Sequence, residues 1–283
     1  MDGVIIINKQ KNFTSHDVVN VIRKKLNIKK VGHTGTLDPN ATGVLPILVG
    51  KATKISKYLI EHDKTYIATI KLGEKTDTGD SEGQVIEEKL VPTDLKKEDI
   101  NNALQSFLGK QKQVPPIYSA IKINGKKLYE YAREGKEVNL EAREIEIYKI
   151  QLLEYKNSKI KFEVECSKGT YIRTLCEDIA KKLGTVGYME ELQRTKVNNF
   201  KIGDSVLLDD ITLENVEENL IKTEEVFKEK DKIELDNKKL ELFLNGVKLT
   251  YDLPKDIYRI YNNKQFIGIG IVENKLLKRD IVI

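Results

Sequence analysis

Between Val31 and Gly50 the chain places four glycines (Gly32, Gly35, Gly43, Gly50) and two prolines (Pro39, Pro46). That density of backbone punctuation disfavours a long regular element and predicts a shaped loop. Inside it sit His33, Asp38 and the hydroxyls of Thr34, Thr36 and Thr42, and an apolar run at 44–49 would tie the loop to a core. A polar loop fixed to a rigid scaffold is where chemistry concentrates. The rest of the chain therefore has to supply that scaffold.

Periodicity predicts how. Residues 4–8 read as a short apolar strand, and Thr14 with Asp17 three residues on predicts a capping-box helix start. Val18, Val19, Ile22 and Leu26 give this helix one apolar stripe, leaving Arg23, Lys24 and Lys25 outside. Residues 52–60 read as helical. Residues 65–73 alternate, with Tyr66, Ala68, Ile70 and Leu72 on one face. Residues 76–83 (TDTGDSEG) read as a polar connection, with a paired strand at 84–88. A second helix is expected from Asp94, with Ile100, Leu104, Phe107 and Leu108 inward and Gly109 as its cap. A Pro115-Pro116 break, a turn at Asn124-Gly125 and a basic amphipathic helix fill 111–137. Strands follow at 143–153 and 159–167, then a Gly169-Thr170-Tyr171 corner and a helix burying Leu175, Ile179 and Leu183. After Phe200 the pattern loosens, and the tail from Leu235 reads as a short helix and brief strands turning at Asn262-Asn263 and Glu273-Asn274.

A length of 283 residues suits one large domain plus a small one. The net charge of +4 is unevenly spread. Seven cations face one acid over 9–30, seven face three acids over 110–137, and nine acids face four lysines over 213–236. Two basic zones suit a polyanionic partner; solvated surface lysines are the plainer account. Two cysteines, Cys166 and Cys176, no secretory segment after Met1 and no run of membrane-spanning length lead us to expect a reducing cytoplasm. Three scattered histidines without a Cys pair offer no metal site. Neither GxxxxGK[ST] nor GxGxxG occurs, which argues against nucleotide-driven chemistry.

Asp38-Pro39 fits a turn, with Asp as cap and Pro at the first position. It equally fits a carboxylate serving as nucleophile or base, provided a nearby cation keeps it ionised in a dry pocket. Arg173, at the first turn of a helix whose dipole it opposes, is the candidate cation. Tyr66 reads as a core tyrosine or as a ring that stacks on a base, and His33 as proton carrier, base contact or loop residue. The lysines and tyrosines of 110–136 combine charge for phosphates with rings, where each stacked base is worth about 1–3 kcal/mol.

The stretch 32–46, GHTGTLDPNATGVLP, resembles the catalytic motif of the bacterial tRNA pseudouridine-55 synthases, the TruB type. TSHDVV at 14–19, KTY at 64–66, QVPPIYSA at 113–120, GTYIR at 169–173 and LQRT at 192–195 fall in the family's order. The resemblance covers residues 3 to about 200. It implies an α+β fold: a catalytic domain over 1–225 on a mixed, largely antiparallel sheet, and a small β-rich PUA-like RNA-binding module over 226–283. A basic thumb-like insertion at about 110–140 would grip the T arm of tRNA. The implied reaction detaches uracil from its sugar, turns it and rejoins it through C5, without cofactor or metal. The implied partner is tRNA, with no guide RNA and no membrane, acted on by a monomer. Carried by position, Asp38 matches the essential aspartate, Arg173 its arginine partner and Tyr66 the stacking tyrosine. His33, Tyr171 and Leu192 match positions that line the pocket or touch flipped nucleotides. The chain departs from the family at 9–12, where Lys-Gln-Lys-Asn replaces Lys-Pro-x-Gly, at Asn40 and at Gln193. An RNA-guided pseudouridine synthase and a non-catalytic protein of the tRNA elbow are the competing readings.

Overall fold

The computed structural model describes residues 1–283 except Glu61, Ala120, Asn124, Gly135, Glu137 and Asn139. The side chains of Lys122, Lys127, Tyr129, Ala132 and Arg133 also lie outside the description, as does the expected turn residue Asn124. Strand β1 (Gly3–Lys9) leads through helix α1 (Ser15–Lys25) to β2 (Val31–His33), and β3 (Thr42–Val49) follows the Asp38 segment. A 3₁₀ helix of about two turns (Gly50–Ile55) and helix α2 (Ser56–Ile60) reach β4 (Lys64–Leu72). Then come the ribbon of β5 (Glu74–Thr76) and β6 (Val85–Glu88), helix α3 (Lys97–Gln105) and β7 (Gly109–Gln113). The insertion carries β8 (Lys122–Ile123), β9 (Lys126–Lys127) and α4 (Leu128–Arg133). Strands β10 (Arg143–Lys156) and β11 (Lys159–Cys166), helix α5 (Ile172–Lys182) and β12 (Gly187–Val197) complete the centre.

With β13 (Phe200–Lys201), β14 (Val206–Leu207) and β15 (Leu220–Lys222), the main sheet has eleven strands among the described residues. Its path is β14-β1-β3-β12-β4-β11-β10-β7, and β1–β14 and β12–β3 are its parallel pairs. The sheet is thus mixed and largely antiparallel, with few helices. Helix α6 (Thr223–Val226) leads to a second sheet of β16 (Lys232–Glu234), β17 (Leu249–Thr250), β18 (Asp256–Asn262), β19 (Gln265–Glu273) and β20 (Leu276–Val282), with α7 (Asn237–Leu244) beside it.

Burial follows the alternation. Tyr66, Ala68, Ile70 and Leu72 join Ile160, Phe162 and Val164 in one core under α1, α3 and α5. Strands β1 and β3 are covered on both faces, which is why they read as unbroken apolar runs. Ile5 and Ile7 face that core, whereas Val4, Ile6, Val44 and Leu48 meet Phe227, Ile269 and Ile281 from the tail. The capping box of α1 forms as expected, Thr14 and Asp17 bonding each other's backbone N–H.

Several expectations are corrected. The punctuated stretch is not all loop: eight of its residues are β3, and the irregular part shrinks to 34–41. The second helix starts at Lys97, because the Asp99 carboxylate, not Asp94, accepts the Lys96 backbone N–H at 2.9 Å. It ends early enough to leave Leu108 43% exposed. The tail hairpins turn one residue later than expected, at Asn263-Lys264 and Asn274-Lys275, all four with φ between 49° and 63°. Such paired left-handed residues match the twist of a two-residue hairpin. Lys9, counted in a basic zone, is fully buried, and Lys25 is tied to the carbonyls of Leu208, Asp209 and Ile211.

Candidate active site

Residues 34–41 leave the sheet where β2 ends. Thr34 N–H donates to the Pro46 carbonyl at 3.1 Å. In a strand the N and C=O of one residue point the same way, so the N–H that Pro46 lacks would face the side β2 is leaving; a proline is tolerated there. Gly43, at φ 104°, lies so close to the Arg194 carbonyl that a Cβ would overlap it, which fixes β3 against β12. The loop is pinned from outside. Ser15 Oγ accepts from Leu37 N–H at 2.9 Å, and Asn12 N–H donates to the Pro39 carbonyl at 3.0 Å. Asn12 has φ 68°, the left-handed conformation that Asn tolerates better than most residues. Lys9 Nζ donates to the carbonyls of Gln10, Phe13 and Pro39 at 3.0, 2.6 and 3.0 Å.

The turn reading of Asp38 is half right. Ala41 N–H closes a turn onto the Asp38 carbonyl at 3.1 Å, but among the described residues no backbone N–H caps the carboxylate. The carboxylate instead meets Arg173 Nε at 3.3 Å. That guanidinium, 9% exposed, also lies 3.4 Å from Asp80 and donates to the carbonyls of Thr78 at 3.2 Å and Tyr118 at 2.7 Å. A planar fork with four acceptors has little freedom to turn.

Asp38, Tyr66, Tyr171, Arg173 and Leu192 all line one pocket of about 650 Å³, a volume typical of small-molecule sites. His33 is not among its lining residues; it stands on β2 before the loop begins. Burial pulls the His33 imidazole below its ordinary value, helped by the charges of Arg194 and His16. Of the Asp38 side chain 35% remains open, but the opening faces the pocket. Burial therefore raises the carboxyl above its usual value; Arg173 opposes this, Asp80 adds to it and Lys9 opposes it. Burial likewise brings the Lys9 ammonium down to about 8, with Asp38 opposing. The Tyr66 phenol is pushed up to about 12, chiefly by burial, and stays protonated at neutral pH.

Sequence reasoning passed over three of these groups. Asp80, 6% exposed, sits in the stretch read as a polar turn, although that stretch has the mixture of glycine, acid and hydroxyls that marked the first loop. Arg194 is fully buried between Gly43 and Tyr66 in the register of β12. It donates to the carbonyls of Val44 at 2.8 Å and Gly35 at 3.0 Å, and its charge works against the rise of the Tyr66 pKa. Lys9 looked like a surface charge because nothing local shows which carbonyls a lysine will meet. No cluster of three or more His, Cys, Asp or Glu among the described residues is placed to hold a metal, and no described helix is long and apolar enough to cross a membrane.

Residues 23–172 match the family model described as TruB family pseudouridylate synthase (N terminal domain). Residues 173–238 match tRNA pseudouridylate synthase B C-terminal domain. A Clostridium tetani protein named tRNA pseudouridine synthase B is 48% identical over 95% of this chain and 95% of its own. Like-named proteins of Alkaliphilus oremlandii (44%, covering 97% and 94%) and Francisella tularensis (41%, covering 100% and 97%) are also similar. Among solved structures, a chain of the crystal structure of a Cbf5-Nop10-Gar1 complex superposes with TM-score 0.72 at 26% identity, over 99% of this chain and 83% of that one. A chain of an H/ACA RNP bound to a substrate RNA containing 2′-deoxyuridine gives TM-score 0.71 at 23% identity, over 99% and 84%, and speaks to the fold alone.

Proposed function

The chain belongs to the TruB family of pseudouridylate synthases, and from that premise we propose that it isomerises uridine 55 in the T loop of tRNA with Asp38 as the reacting carboxylate. That it is a tRNA pseudouridine synthase, an isomerase, follows from relatives of that name aligned over nearly the whole chain. The observation that carries the role of Asp38 is its pairing with a buried arginine at the pocket.

The N1–C1′ bond breaks, the uracil turns, and a C5–C1′ bond forms while C5 loses a proton and N1 gains one. These atoms cannot be reached in a stacked loop, so the nucleotide has to be flipped out into the pocket. Attack by Asp38 on C1′, attack on C6, or removal of a sugar proton each needs the carboxylate ionised. Arg173 supplies the opposing charge, and Lys9 fixes the loop main chain so that the carboxylate holds one pose. Tyr66 offers a ring to stack on the base, with Arg194 beside it in the register of β12 and β4. Tyr171 and Leu192 supply further walls of the pocket. His33, outside the pocket lining, is assigned to contact with the flipped-out nucleotides.

We assign the insertion at 110–140 to a thumb that grips the T arm, and residues 226–283 to a PUA-like RNA-binding module in a cytoplasmic, monomeric enzyme. The five-stranded second sheet and the seven cations of 110–137 support these assignments. Binding should weaken steeply with salt, because each neutralised phosphate releases counterions; a flat salt response in filter binding would refute the basic zones. The identity of 41–48% to proteins named for tRNA, against 26% to the Cbf5 chain, favours an enzyme that works without a guide.

The direct test uses a tRNA transcript tritiated at uridine C5. Wild type should release tritium without any added RNA, and Asp38→Asn should release none while still binding. Full turnover by Asp38→Asn would remove Asp38 from the mechanism.

A further inference from the structure

Strand β7 ends at Gln113, just before the Pro115-Pro116 break and the insertion. Four hydrogen bonds join the residues from Gln113 to Tyr118 to the start of α5. Tyr171 N–H donates to Gln113 Oε1 at 2.8 Å, and Gln113 Nε2 donates to the Tyr171 carbonyl at 3.0 Å. The Thr174 hydroxyl donates to the Val114 carbonyl at 3.3 Å, and Arg173 Nη2 donates to the Tyr118 carbonyl at 2.7 Å. Gln113 is 6% exposed.

The first two contacts are the informative ones. Tyr171 precedes α5 without capping it through its own side chain, and its carbonyl accepts the helical N–H of Leu175 at 3.1 Å. Gln113 therefore holds both polar groups of the residue from which the helix springs, two positions before Arg173. An amide carries a donor and an acceptor side by side, which matches a main-chain N–H and C=O pair; neither a carboxylate nor a thioether does. A glutamine used as core filling would have no need to face both.

We propose that Gln113 is a positioning residue for the reaction: it fixes the first turn of α5, and so the pose in which Arg173 meets Asp38. The proposal rests on the catalytic reading of Asp38 and Arg173 given above. It also makes the root of the insertion and the catalytic arginine one mechanical unit, since Tyr118 and Arg173 share a bond.

The test compares Gln113→Glu and Gln113→Met with wild type in the tritium-release assay. The introduced carboxylate keeps an acceptor for Tyr171 N–H but turns an acceptor on the Tyr171 carbonyl. Once protonated it regains the donor, and in so buried a position it should protonate above the ordinary carboxylate range. At about pH 8 we expect kcat for Q113E to fall about 10- to 100-fold, with KM within about threefold of wild type. As pH is lowered toward about 6, the ratio of Q113E to wild-type kcat should climb, whereas the Q113M ratio should stay flat. A flat Q113E ratio, a loss confined to KM, wild-type kcat in Q113M, or a Q113E protein unfolded at every pH would each overturn the proposal. If Q113M does not fold, the pH ratio of Q113E decides alone. Release by wild type with silence from Asp38→Asn would uphold the function whatever the Gln113 variants do; a silent wild type would end both.

Discussion

Two glycine-bearing acidic loops, 34–41 and 76–83, deliver a carboxylate to the same guanidinium, at 3.3 Å from Asp38 and 3.4 Å from Asp80. Their surroundings differ. The Asp80 carboxylate is 9% exposed and accepts from Thr78 Oγ1 at 2.7 Å and from Glu82 N–H at 3.0 Å. The Asp38 carboxylate is 35% exposed, faces the pocket and receives no backbone N–H among the described residues. An acid whose lone pairs are satisfied holds its partner; an acid left with one cation and an open side can react. The contrast separates a carboxylate that orients Arg173 from the one we propose meets substrate.

The largest way to break this contrast is to neutralise each acid in turn. Asp38→Asn should lower kcat by more than about 10⁴-fold, as removal of a reacting group does, with tRNA affinity nearly unchanged by filter binding. Asp80→Asn should cost about 10- to 100-fold in kcat/KM, because Arg173 keeps Asp38 but loses one of its anchors. Equal losses for the two would erase the distinction.

The pH profile sharpens it. Because burial raises the Asp38 pKa, the ionised form is complete only at higher pH than for a free carboxylate, and the acid limb of kcat/KM should lie above the ordinary aspartate value. The Asp80 charge is one of the influences raising that pKa. Asp80→Asn should therefore move the limb to lower pH, even as the plateau falls. A limb that moves upward would place the sharing of Arg173 wrongly.

The smallest effect distinguishes the loops by their supports. Lys9→Met takes a donor from three carbonyls, of which the Pro39 carbonyl keeps Asn12 N–H. The carbonyl of exposed Gln10 can turn to water, which leaves that of Phe13 without a partner at about 1–3 kcal/mol, so urea unfolding should show a loss of about 1–3 kcal/mol. The loop at 76–83 makes no described bond to Lys9, so Asp80 should keep its hold on Arg173 in that variant.

What could be read from sequence tracks what is local. The alternation of β4, the α1 capping box and the burial of Leu175, Ile179 and Leu183 on one side of α5 depend on neighbours within a few residues, and all appear in the structure. Register does not, and register is what sets Arg194 between Gly43 and Tyr66. Lys9 and Asp80 were misjudged for the same reason: a charged residue in a polar stretch looks solvated until a distant segment folds over it. Asp38 was flagged by the family's motif and by the need for a cation, since its turn geometry alone spoke for a cap.

Strand β3, which carries the Asp38 loop at its start, has Val44 and Leu48 on a layer shared with Phe227, Ile269 and Ile281. Lys57 and Tyr58 on α2 also bond Asp280 at the other end of the chain. The tail is thus a lid on the underside of the catalytic strands, and a protein cut short near residue 225 would expose an oily floor directly beneath its own chemistry. Shortening the chain to simplify it would then yield a sticky, loosened enzyme, with solubility and turnover failing together.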